Sequence, residues 1–140
     1  MASCGRYRGV KVLVVAKDRA LRTMVGSFLS LNDMDVREAA TSTEALRELG
    51  SGFKPEIVLS GYERPGSDEE ALFRALRKLP EFELTPIVVM AGRDDLDRQL
   101  EWMSAGATCW IRSPFSSKGL LDMMGMVLFN REDHDKRDPG

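Results

Sequence analysis

Three cations, Lys17, Arg64 and Arg112, and three carboxylates, Asp18, Glu63 and Asp68, lie at or beyond the ends of apolar runs in this 140-residue chain. Side chains that emerge from buried strands are where α/β proteins place their chemistry. With free helix N-terminal amides, the cations would suit an anion such as a phosphate or a nucleotide moiety. No glycine-rich phosphate loop accompanies them, and pairing of Lys17 with Asp18 or Glu63 is the simpler alternative. Asp18 opens a helical pattern and reads as its N-cap. Glu63 lies within, and Asp68 just after, the loop of "EIVLSGYERPG", whose apolar run breaks at Ser60–Gly61. The remaining reactive types are sparse. The single histidine, His134, sits in a charged tail with no second ligand near it, and Cys4 and Cys109 read as two reduced, unpaired thiols.

Composition narrows the classes. The chain is 43% hydrophobic and 30% charged, as an ordinary globular domain is, and its length fits one domain. A formal net charge of -2 gives no pull toward nucleic acid or an anionic membrane. No apolar stretch approaches the roughly 20 residues of a spanning helix. The expectation is a cytoplasmic domain at 10–130, with a flexible arm at 1–9 and a charged tail or start of a linker at 131–140.

The periodicity alternates between strand and helix. Residues 10–16, "VKVLVVA", read as a buried strand, and 18–32 as a helix with Leu21, Met24 or Val25, and Phe28 on one face. Strands at 35–39, 56–60, 86–91 and 108–112 then alternate with helices at 41–49, 68–79, 94–106 and 116–129. Ser67 with Glu70 forms a capping box for the third helix, and Gly106 closes the fourth. Five strands and five flanking helices predict an α/β, flavodoxin-like, doubly wound parallel sheet of order 2-1-3-4-5. Its switch point falls at Ala16, Lys17 and Asp18 after the first strand, and at 61–65 after the third.

At these positions the chain resembles the receiver domain of two-component response regulators. The likeness spans roughly residues 10–130 and rests on five motifs in order: "VKVLVVAKDRALRTMVGSFL", "VREAATSTEAL", "PEIVLSGYERPG", "TPIVVMAG" and "SAGATCWIRSPF". The resemblance implies a phosphoacceptor aspartate at Gly61 and Mg²⁺-binding acids at Ala16 and Lys17. It also implies a hydroxyl at Ala91 and a lysine at Ser113. All five differ, so the resemblance points to a degenerate pocket. With it go a non-enzymatic pseudo-receiver, no cofactor and no Mg²⁺. A displaced acceptor at Glu63, or an anion- or nucleotide-sensing pocket at Lys17, Arg64 and Arg112, are the alternatives. Phosphate at Ser60 or Ser113 would require a Ser/Thr kinase.

The likeness further implies partner binding through the fourth helix, fifth strand and fifth helix. Trp102, Trp110, Leu121, Met123, Met126 and Phe129 are the expected contacts, with a protein partner or a second copy. The fifth helix, "LLDMMGMVLF", carries more apolar side chains than the core-facing stripe of Leu120, Met124, Val127 and Leu128 requires. Direct nucleic-acid or membrane binding is not expected.

Overall fold

The computed structural model describes residues 7–61, 68–92 and 99–129. Five parallel strands, β1 (Lys11–Val15), β2 (Asp35–Ala39), β3 (Ile57–Gly61), β4 (Ile87–Ala91) and β5 (Cys109–Arg112), form one sheet in the order β2-β1-β3-β4-β5. They alternate with α1 (Arg19–Leu31), α2 (Ser42–Gly50), α3 (Asp68–Lys78), α4 (Gln99–Ala105) and α5 (Ser117–Leu128), as the sequence predicts. A 3-10 turn at Pro80–Phe82 is an addition that the sequence reading lacked. The expected Ser67 cap and the first part of the expected fourth helix lie outside the described residues.

Helices cover both sheet faces, which is why the central strands are unbroken apolar runs. β3 and β4 are buried at every position, whereas the edges β2 and β5 carry exposed side chains. Alternation along each strand splits the core into two layers. Ile57, Leu59, Val88 and Met90 pack with Val25 and Leu29 of α1 and Leu120, Met124 and Val127 of α5. Val58, Val89 and Ala91 pack on the other face with Ala45 and Leu49 of α2, Leu72 and Phe73 of α3, and Trp102 and Ala105 of α4.

Local chemistry fixes the helix starts. Asp18 accepts the Ala20 amide at 2.9 Å, and Thr41 accepts the Glu44 amide at 3.1 Å while Glu44 accepts that of Ala40. Ser116 accepts the Gly119 amide at 2.9 Å. Gly106 ends α4 at φ 122°, and a β-carbon there would also lie 2.7 Å from Arg77 Cγ. Arg77 needs that space. Its guanidinium donates to the carbonyls of Gly106 (2.9 Å), Phe82 (3.0 Å), Glu83 (3.1 Å) and Thr85 (2.7 Å), joining the end of α3 to the approaches of β4 and β5.

The N-terminal segment departs from expectation. Tyr7, assigned to a flexible arm, is 6% exposed and packs with Val10, Val12 and α5. The correction has a simple cause: an aromatic ring reached the surplus apolar surface of α5.

Candidate functional site

The carboxyl ends of the strands come level with one another. Val15 is in register with Ser60, Gly61 with Met90, and Ala91 with Arg112. Ala16 follows β1 with its amide bonded to the Ala39 carbonyl at 3.0 Å, and the Ser113 amide donates to the Ala91 carbonyl at 2.7 Å. The fold thus brings Ala16, Gly61, Ala91 and Ser113 to one end of the sheet. Lys17 and Asp18 begin the β1–α1 loop there.

The floor of this site is apolar. Ala16 is 3% exposed and Ala91 fully buried. A β-carbon built on Gly61 would lie 3.4 Å from the Ala16 β-carbon and 3.7 Å from Leu21 Cδ2. Ser60, the one buried polar residue among those described, donates its hydroxyl to the Gly61 carbonyl at 3.1 Å. Asp18 is occupied by its capping bonds. Arg22 donates to the Ala16 carbonyl at 2.8 Å and lies 3.7 Å from Glu38, whose carboxylate rests against Gly26. A guanidinium therefore already holds the backbone oxygen at the mouth of β1.

Mg²⁺ requires a near-octahedral set of hard oxygens. Methyls at 16 and 91, an ammonium at 17 and hydrogen at 61 supply none from side chains, so these residues do not fit the ion. Among the described residues, no three His, Cys, Asp or Glu side chains cluster as metal ligands.

Of the three cations expected around an anion, Lys17 and Arg112 are described. Both are exposed, Lys17 just after β1 and Arg112 as the last residue of β5, on strands three steps apart, about 14 Å at a spacing near 4.8 Å. Arg64 lies outside the described residues, as does Glu63.

The expected contact face needs a larger correction. Trp102 is fully buried, because α4 turns Trp102 and Ala105 inward against α3 and leaves Leu100 (82% exposed) and Met103 (41%) outside. Trp110 is half-buried, its ring 6.4 Å from that of Trp102 at an interplanar angle of 57°. On α5, Leu121, Met123 and Phe129 are half-buried against the core, and Met126 alone of the four is exposed, at 58%. Cys109 and Met123 bring their sulfurs to 3.5 Å, and burial raises the Cys109 thiol pKa. Leu100 and Met103 were missed, although their i, i+3 spacing was visible.

A model of the response regulator receiver domain matches residues 12–125. Response regulator MprA of Mycobacterium sp. (strain KMS) is 32% identical over 119 residues, covering 85% of this chain and 50% of that protein. MprA of Mycobacterium tuberculosis is 30% identical over 126 residues, 90% of this chain and 54% of that protein. The chain spans about half the length of these curated relatives. The chemotaxis response regulator CheY4 of Vibrio cholerae superposes with a TM-score of 0.76 at 27% identity, covering 86% of this chain and 99% of that one. No described helix is long and apolar enough to cross a membrane. With its sheet order, its matched span and its relatives in agreement, the chain belongs to the response regulator receiver domain family.

Proposed function

We propose that this receiver domain is a pseudo-receiver: a phosphorylation-independent protein-interaction module in bacterial signal transduction, without enzymatic activity. One observation carries the reading. The strand ends that should hold a nucleophile, its metal ligands and a hydroxyl hold Gly61, Ala16, Lys17 and Ala91, while the fold around them is intact. Glycine offers no atom to phosphorylate, and a buried methyl cannot bond a phosphoryl oxygen.

With no phosphoryl input, partner binding sets the conformation. The partner face comprises α4, β5 and α5, with Leu100, Met103 and Met126 as its exposed apolar contacts. Trp110 braces that face from below against Trp102. A cytoplasmic partner, or a second copy of the chain, is the expected occupant.

Amide NMR during titration with Mg²⁺ and beryllofluoride tests the pocket. The expected result is no saturable shift at Lys17, Gly61 or Trp110; Mg²⁺-dependent saturable shifts there overturn the reading and favour a displaced acceptor. Leu100→Glu and Met126→Glu test the face. Both should weaken self-association or partner capture, and normal association of both variants places the interface elsewhere.

A further inference from the structure

Where the backbone enters β1 it touches where α5 ends, and this contact is not needed to build the sheet. Tyr7 directs its ring to Phe129, with centroids 5.6 Å apart and planes inclined by 56°. Its hydroxyl donates to the Leu121 carbonyl at 2.7 Å, two turns earlier on the same helix. The segment is anchored independently on its other side. The Gly9 amide donates to the Asp33 carbonyl at 2.8 Å, with Gly9 at φ 78°, and the Val10 amide returns to the Tyr7 carbonyl at 3.0 Å. A turn fixed to the end of α1 thus presents one aromatic side chain to two successive stretches of α5.

We propose that residues 7–10 are a latch that holds the C-terminal turn of α5 in place and so fixes the direction in which the chain leaves the domain. This goes beyond the partner-binding reading and does not depend on it. The last turn of a helix has few bonds of its own, since its final carbonyls have no partners within the helix. At this end the Phe129 amide bonds to the Gly125 carbonyl at 2.9 Å, and Gly125 is itself a weak helix former. Such a turn frays unless tertiary contacts cover it. Tyr7 supplies the contact: a tilted aromatic pair at the C-cap, and a hydroxyl that fixes where along α5 the ring can sit. The latch also covers one side of the Phe129 ring, which is left half-buried.

Hydrogen exchange on the full chain tests this. Tyr7→Ala should speed exchange of the Val127, Leu128 and Phe129 amides by tenfold or more, with β3 and β4 amides unchanged. Tyr7→Phe, which keeps the ring, should stay within a few-fold of the parent. Linkage requires the reciprocal effect: Phe129→Ala should speed exchange at Gly9 and Val10. Unchanged exchange at 127–129 in Tyr7→Ala overturns the latch. So does faster exchange spread uniformly over the sheet, since Tyr7 would then be an ordinary core residue. If Tyr7→Ala does not fold, the Phe129→Ala measurement decides alone.

Discussion

Restoring the missing nucleophile by itself should not restore phosphoryl transfer. Gly61→Asp is sterically admissible, because a β-carbon there makes only ordinary contacts with Ala16 and Leu21, none closer than 3.4 Å. The new carboxylate would still lack metal ligands beside it, and Lys17 would oppose the ion. Lys17 is exposed, so the water-like limit applies. Two unit charges 4 Å apart then cost about 1 kcal/mol and a dication about twice that, or roughly 30-fold in Mg²⁺ affinity before any missing ligand is counted. The assay is Mg²⁺-dependent incorporation from radiolabelled acetyl phosphate. Gly61→Asp should match the unlabelled parent. A variant that adds Ala16→Asp, Lys17→Asp, Ala91→Thr and Ser113→Lys should become labelled. Labelling of the parent, or of the single variant at the rate of the five-position one, would refute the reasoning.

Three further outcomes are expected. Gly26→Ala forces the Glu38 carboxylate to move, but that group is the far end of a part-exposed side chain in a surface ion pair worth about 0–1 kcal/mol. The helix-propensity gain of about 1 kcal/mol should win, so thermal denaturation should show a neutral or slightly higher midpoint, and a loss above about 1 kcal/mol would show that the carboxylate cannot yield. Arg77→Lys keeps the charge but loses the planar fork that bonds four carbonyls, and urea denaturation should show a loss of about 2–4 kcal/mol. Cys109 has its pKa raised by burial, so the folded state holds the thiol proton more tightly than the unfolded chain does. That contribution is complete below the ordinary thiol pKa of about 8.5 and is lost as pH rises through the folded value. Cys109→Ser, with its non-titrating hydroxyl, should therefore flatten the alkaline decline in stability, and an identical pH profile would exclude the thiol as its source.

The sheet, and the gathering of Ala16, Gly61, Ala91 and Ser113 at one end of it, were legible because their signals are local. Short, continuous runs rich in valine and isoleucine between turn signals read as strands covered on both faces, and in a parallel sheet the residues that follow them gather at one end. Asp18 and Gly106 carry their capping roles in their types. The fate of Trp102 was not local. Leu100, Trp102 and Met103 leave the described helix apolar on more than one side, and only the packing of α3 against it selects the indole for the core. Tyr7 was illegible for a different reason: an isolated aromatic among polar residues has no period, and its hydrogen-bond partner lies 114 residues away. Arg77 gave no sign either, since its partners are backbone carbonyls, and these leave no mark in side-chain identity.

The nearness of Trp102 and Trp110 has an optical consequence. The chain has two tryptophans, and the structure sets both at one corner of the molecule with rings 6.4 Å apart. Tryptophan emission from this domain therefore reports on a single neighbourhood, one indole shielded from solvent and the other half open to it. Excitation energy should pass between them faster than either ring can reorient, lowering the emission anisotropy of the native state. A partner that settles over the open ring would change colour and polarisation together, while events at the opposite end of the sheet would leave the signal unchanged.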